Sequence, residues 1–321
     1  MKVVVVGAGS WGSTFASLLA EREHEVWLQC RDEEQAQAIA ATGRNPRYAP
    51  DADLSRVRPC VDGEAREALE EAELVCVAVP SAAFREVVTA LPATGSPVLS
   101  LVKGLDPGSG RRLSTVVNGR PVAVLAGPNH AEEIAAGLPA VAVIASADEE
   151  LARRLQDAII SPRFRVYTNG DILGVEVSTA AKNVIALAVG MTDGLGLGDN
   201  AKAAVVTRGL AEIRRIGRAL EGRPETFSGL AGMGDLMVTC WSRHSRNRRA
   251  GELMAQGRSA EEAVREIGMT VEGLTTAPVL RDLGRRLEVD LPITEAVCAV
   301  LDGGDPKEIG PKLMRRKPKP E

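Results

Sequence analysis

A doubly wound α/β domain built on a parallel sheet, followed by an all-helical domain, is the fold class this sequence predicts. Short valine-rich runs alternate with helical patterns through the first half of the chain. Strand-like runs stop near Asp171. A glycine-spaced turn, Gly7-x-Gly9-x-x-Gly12, joins the first strand to the first helix. Strand and helix alternating at this pitch imply parallel strands with right-handed crossovers. The two domains are expected at 1–172 and 173–321.

The strands are expected at 2–6, 26–29, 74–79, 98–102, 122–125 and 141–145. Each is nearly continuous in hydrophobicity, as strands covered on both faces are. Helical patterns separate them at 10–22, 33–41, 64–70 and 82–91. Beyond Asp171, stretches rich in Ala, Leu, Val and Arg recur with helical period at 175–189, 201–220, 248–256, 260–267, 276–287 and 294–301. The segment 176–191 is too apolar for a surface helix and is expected to form the spine between the domains. The tail 314–321 alternates Lys with Pro and is expected to fray.

The bulk properties exclude several classes. A chain of 321 residues, 45% hydrophobic and 26% charged, has the composition of an ordinary globular protein. A formal charge of −4 argues against a nucleic-acid partner, which would call for a basic excess. No apolar run approaches the roughly 18 residues of a spanning helix, so no membrane insertion is expected. Met1-Lys2 leads straight into Val3 without a cleavage-site pattern, and a cytoplasmic location follows as the expectation. Cys30, Cys60, Cys76, Cys240 and Cys298 form no C-x-x-C pair and read as reduced, mostly buried thiols. Only His24, His130 and His244 are present, and no His/Cys cluster suggests a metal.

Gly7-x-Gly9-x-x-Gly12 alone is a weak match, but here it follows a strand and opens a helix, which is the context the chemistry needs. Gly7 permits the tight turn, Gly9 lets backbone approach a pyrophosphate, and Gly12 lets helix pack on strand. The helix N-terminus then offers N–H groups and partial positive charge to that pyrophosphate. A dinucleotide cofactor is the expectation. The second strand ends Gln29-Cys30-Arg31-Asp32. Arg31 suits a 2′-phosphate, while Asp32 is either the acid that binds a ribose diol or the N-cap of the next helix, the latter being favoured. The cofactor is therefore NADP or NAD, with NADP favoured.

Lys182 is the sole charge in 177–192. Its helical neighbours Ser178, Thr179, Ile185 and Ala186 include no carboxylate. Burial would lower its pKa toward working pH and suit it to general acid/base work. The bland alternative is a snorkelling lysine. Lys103 follows the strand 98–102, at the sheet edge where ligands bind. Asp235, after the glycine-dense Gly229-to-Gly234 run, reads by default as a cap. Arg243, Arg246, Arg248 and Arg249 crowd into eight residues. They are a solvated helix face, an RNA patch or a phosphate holder, and composition does not choose among these.

Eight motifs then occur in one order: Gly7-Ala-Gly-Ser-Trp-Gly12, Lys103-Gly-Leu105, Ala126-Gly-Pro128, Ala181-Lys-Asn-Val184, Thr207-Arg-Gly-Leu-Ala-Glu212, Gly234-Asp-Leu236, Ser245-Arg-Asn-Arg248 and Val271-Glu-Gly273. With them the sequence resembles, essentially end to end, the bacterial-type NAD(P)-dependent glycerol-3-phosphate dehydrogenases. The resemblance implies a Rossmann domain followed by a helical domain, a homodimer, and interconversion of dihydroxyacetone phosphate and sn-glycerol 3-phosphate for phospholipid synthesis. It implies that Ser10, Trp11 and Arg31 contact the cofactor, with Lys103 between cofactor and substrate. Lys182 would be the proton acceptor, flanked by Asn183, and Asp235 would orient the lysine or a substrate hydroxyl. Ser245, Arg246 and Asn247 would hold the phosphate end, with Arg246 also near the cofactor. Gly127 and Asn129 would line the substrate pocket, Ala131 the cofactor side, and Thr270 and Glu272 the nicotinamide end. The sequence departs from the pattern at Asn129-His130, where relatives usually carry Thr or Ser and then an aromatic residue. Asn keeps a hydrogen-bonding side chain, so altered fit rather than altered chemistry is expected. A hydroxy-acid dehydrogenase would also use a helical lysine, but the Ser245-Arg-Asn-Arg248 run argues against it. A non-catalytic nucleotide sensor would be expected to have lost Lys103, Lys182 and Asp235.

Overall fold

The computed structural model describes residues 1–315 and 317. The chain divides into two compact units, Met1–Glu176 and Val177 onward.

The first unit is an eight-stranded sheet in the order β3-β2-β1-β4-β5-β6-β7-β8. The strands are β1 (Lys2–Val6), β2 (Glu25–Gln29), β3 (Val57–Cys60), β4 (Leu74–Val77), β5 (Val98–Ser100), β6 (Val122–Ala126), β7 (Ala140–Ala145) and β8 (Phe164–Asn169). The helices are α1 (Ser10–Glu21), α2 (Glu33–Thr42), α3 (Asp62–Glu70), α4 (Ser81–Ala90), α5 (Ala131–Ala135) and α6 (Glu149–Ile159). Alternate residues of β1 enter opposite cores: Val3 and Val5 pack with Phe15 and Leu155, whereas Val4 and Val6 pack with Phe84 and Leu69. That two-sided burial is why its sequence is an unbroken valine run.

Three features depart from expectation. β7 runs antiparallel to β6, so the sheet is parallel except at that step. The strands β3 and β8 were not predicted, and both lie at the sheet's edges. An edge strand needs neither two apolar faces nor every N–H, so Val-Arg-Pro-Cys can form β3 with Pro59 in it. Finally, α7 (Ile172–Gly194) has a mean hydropathy of 1.5 over an 18-residue window, long and apolar enough to cross a membrane. This corrects the expectation that no run approaches that length. The same window is 83% buried, as in the core helix of a globular fold.

In the second unit α7 continues and is followed by α8 (Gly198–Ala219), α9 (Pro224–Ser228), a π-helical turn (Leu230–Gly234), α10 (Asp235–Trp241), α11 (Arg246–Ala255), α12 (Ala260–Ile267), α13 (Glu272–Arg286), α14 (Pro292–Leu301) and α15 (Pro306–Met314). Most of the tail expected to fray lies outside the described residues. Buried Glu212 of α8 caps α14. Its carboxylate accepts from the Ile293 and Thr294 backbone N–H groups at 2.5 and 3.1 Å and from Thr294 Oγ1 at 3.0 Å. Burial pushes this carboxyl up to about 7 despite those bonds.

Helices α7 and α11 touch backbone to backbone. A Cβ on Gly190 would lie 1.9 Å from the Arg248 carbonyl oxygen, and one on Gly251 would lie 2.0 Å from that of Leu187. Backbone cannot yield as a side chain does. Gly251→Ala is therefore expected to destabilise the protein by at least about 1–3 kcal/mol, the usual range for overpacking. Gly63→Ala is the control, because nothing lies within 4 Å of its Cβ position and its φ is ordinary. Thermal denaturation should show a clear drop in Tm for the first and none for the second.

Candidate functional site

The glycine turn is built as its spacing requires. Gly7 sits at φ 107°, where a Cβ would stand 2.7 Å from the Ala78 carbonyl oxygen. A Cβ on Gly12 would stand 1.9 Å from the oxygen of Gly7. Gly9 differs: nothing lies within 4 Å of its Cβ position, so the turn presents bare backbone to open space. Gly9 is the N-cap of α1, no side chain caps the helix, and its first turn holds no acid. The first N–H groups of α1 and its dipole are thus available to an anion. The Trp11 indole N–H, in that first turn, is buried without an acceptor among the described residues. This donor-rich cradle fits the pyrophosphate of a dinucleotide.

The turn is braced from behind. The Ala8 carbonyl accepts from Gln35 Nε2 at 2.8 Å and from Asn45 Nδ2 at 2.9 Å. Asp32 is the N-cap of α2, accepting from the Gln35 N–H at 2.9 Å, as favoured from sequence. Arg31 is exposed and donates to Asp32 at 3.4 Å.

Also in the first unit, Lys103 lies just past β5, half-buried. Its Nζ donates to the Gly127 carbonyl at 3.1 Å and to Asn129 Oδ1 at 2.6 Å. Asn129 is buried, and its Nδ2 has no hydrogen-bond partner among the described residues. Ala131 opens α5 and is buried, its carbonyl accepting from Thr14 Oγ1 of α1 at 3.5 Å.

In the second unit Lys182 lies in mid-α7 with 4% exposure. The spacing argument found no carboxylate on its own helix, and the partner comes from α10: Lys182 Nζ donates to Asp235 Oδ1. A second bond runs to Thr239 Oγ1 at 2.8 Å, and Thr239 donates in turn to the Asp235 carbonyl at 2.6 Å. Asp235 is therefore no cap; Gly234 holds that position, with no side-chain cap. An isolated ammonium at this depth would be costly, and the adjoining carboxylate compensates. Sequence reading missed Thr239. Its four-residue offset from Asp235, one turn along α10, is the signal that could have found it.

Asn183, the next residue of α7, accepts from Asn247 Nδ2 at 3.0 Å, and Asn247 Oδ1 accepts from the Gly273 N–H at 2.8 Å. This chain of amides ties α7, α11 and α13 together. Ser245 caps α11 by accepting from the Arg248 N–H at 3.2 Å. Arg248 pairs with Asp193 at 2.8 Å, and Arg249 with Glu252 and Glu266. Arg246, the first residue of α11, is exposed and in no ion pair among the described residues. The arginine cluster thus splits into two structural cations and one presented to solvent at a helix N-terminus, with Arg243 beside His244. Thr270 is exposed just before α13, and Glu272 is the first residue of that helix. All five cysteines are free and buried, and burial raises Cys30 to about 11 and Cys60 to about 12.

Comparison with known proteins gives one answer along the chain. Residues 2–152 match the model of the NAD-dependent glycerol-3-phosphate dehydrogenase N-terminus, and residues 171–310 match that of the C-terminus. The NAD(P)+ glycerol-3-phosphate dehydrogenase of Desulfitobacterium hafniense is 45% identical, over 100% of this chain and 93% of the relative. That of Moorella thermoacetica is 48% identical, over 95% of this chain and 92% of the relative. The crystal structure of glycerol-3-phosphate dehydrogenase from Coxiella burnetii superposes with a TM-score of 0.93 at 36% identity, covering 98% of each chain. With both halves matched and full-length relatives well above 30% identity, the chain belongs to the NAD-dependent glycerol-3-phosphate dehydrogenase family.

Proposed function

We propose that this protein interconverts dihydroxyacetone phosphate and sn-glycerol 3-phosphate at the expense of NAD(P)H or NAD(P)+. The observation that carries the chemistry is the buried Lys182 ammonium held by Asp235 and Thr239. When bound, the dinucleotide supplies the hydride for the carbonyl carbon, or accepts it in reverse. Lys182 gives its proton to the substrate oxygen as the carbonyl becomes a hydroxyl, and removes that proton in the oxidative direction. Before transfer its charge polarises the carbonyl. Asp235 and Thr239 fix the direction of Nζ, so little reorganisation remains when the proton moves.

Binding is assigned to the remaining polar groups. Arg246 takes the substrate phosphate, supported by the α11 N-terminus that Ser245 and Asn247 flank. Asn183, tied to Asn247, keeps that end in register with Lys182. Lys103, with Gly127 and Asn129, serves the substrate, and the unpartnered Asn129 Nδ2 is a donor suited to a substrate oxygen. Gly7, Gly9, Ser10, Trp11, Gly12, Arg31 and Ala131 serve the cofactor, with Thr270 and Glu272 at its nicotinamide end. A homodimer, a cytoplasmic location and supply of glycerol 3-phosphate to phospholipid synthesis complete the proposal.

The direct test mixes purified protein, NADPH and dihydroxyacetone phosphate and follows the reduced-nicotinamide absorbance. Substrate-dependent loss is expected. Absence of any loss with either NADPH or NADH, in protein shown to be folded, would refute the assigned reaction.

A further inference from the structure

We propose that Arg47 is the second guanidinium of a 2′-phosphate clamp, with Arg31 the first, and that it makes the nucleotide site prefer NADPH to NADH. The inference rests on the dinucleotide reading of the Gly7–Gly12 turn. A site selective for NADH needs an acid after its second strand with oxygens free for the ribose hydroxyls. Asp32 occupies that place, but both its oxygens are engaged. Oδ1 accepts the Gln35 N–H at 2.9 Å as the cap of α2, and Oδ2 accepts from Arg31 Nε at 3.4 Å.

Arg47 arrives from a segment that is anchored rather than loose. Asn45, only 1% exposed, donates to the Ala8 carbonyl and to Ser13 Oγ, both at 2.9 Å, which pins it to the glycine turn and to α1. The Ala49 N–H returns to the Asn45 carbonyl at 2.9 Å and closes the turn that carries Arg47. The Arg47 guanidinium lies 5.0 Å from the Tyr48 ring centre, exposed, and forms no salt bridge among the described residues. It is near enough to Asp32 that, after the Gln35 N–H bond and Arg31, its charge helps hold that carboxyl below the usual carboxylate range. Two guanidiniums thus flank one engaged carboxylate, with Glu33 and Glu34 next along α2. A phosphate monoester on the adenosine 2′-oxygen is the ligand chemistry that two arginine forks match.

The test titrates NADPH and NADH into the unmodified protein, Arg47→Ala and Arg47→Lys, reading dinucleotide fluorescence without substrate, with 2′,5′-ADP as a competing probe. Arg47→Ala is expected to weaken NADPH and 2′,5′-ADP by about 10-fold or more, the scale of a hydrogen bond to a charged group, and to leave NADH within about twofold. Arg47→Lys should recover part of the loss, since a point charge keeps attraction without the fork. Equal weakening of NADPH and NADH, or unchanged NADPH binding, would overturn the assignment. If the unmodified protein binds neither dinucleotide, the nucleotide reading itself fails and Arg47 falls with it.

Discussion

Lys182→Met is expected to lower kcat by about 10³-fold, within the 10²–10⁴ range that a positioned general acid/base supplies. Dinucleotide binding should stay unchanged, because the groups assigned to it in the glycine turn are all in the first unit. The substitution has a second consequence. Asp235, 1% exposed, loses the Lys182 ammonium as a hydrogen-bond partner, and breaking a buried pair costs on the order of 3–5 kcal/mol. A drop in Tm would therefore accompany the loss of rate, and a slow variant could be mistaken for an unfolded one. The double variant Lys182→Met with Asp235→Asn separates the two effects. It leaves no uncompensated charge in the core, so stability should return toward the unmodified protein while kcat stays low. The two rate losses should also fail to add, as they do for groups acting as a unit. Turnover of Lys182→Met within tenfold of the unmodified enzyme would remove Lys182 from the proton-transfer role.

That experiment turns on a relation the sequence could not display. Lys182 stood out because it is the sole charge in 177–192, yet its partner is 53 residues away. Helical spacing can find a carboxylate one turn off, whereas a partner on α10 requires the packing of α10 on α7. The same limit hid the split among the arginines. Arg246 and Arg248 are two residues apart and chemically alike, but only Arg248 meets Asp193. The central strands were legible because burial on both faces leaves a continuous valine signature. The edge strands β3 and β8 were not, because one open side admits Pro59 in one and Arg165 and Tyr167 in the other. The Asp32 cap was legible because its bond is local, closing within three residues.

For Arg246→Ala, kcat/KM with dihydroxyacetone phosphate should fall by about 10²-fold, roughly 2.7 kcal/mol, as expected for a charge-assisted contact to phosphate. Stability gives no reason for a cation at this position. It opens α11, where the helix dipole is positive, and it pairs with no acid among the described residues; removing it should be neutral or slightly stabilising. The informative comparison is with Arg248→Ala. Arg248 bridges to Asp193 and to the Ser242 carbonyl, so its loss should lower Tm and depress activity without regard to substrate. The two variants therefore predict opposite patterns. Arg246→Ala should keep its Tm and retain whatever weak reduction of unphosphorylated dihydroxyacetone the unmodified enzyme shows, losing only the advantage that the phosphate confers. That selectivity follows from remote binding energy being used to position the carbonyl carbon. If Arg246→Ala loses activity equally toward both substrates, the exposed guanidinium does not read the phosphate, and Arg246 is a solvated residue of the helix.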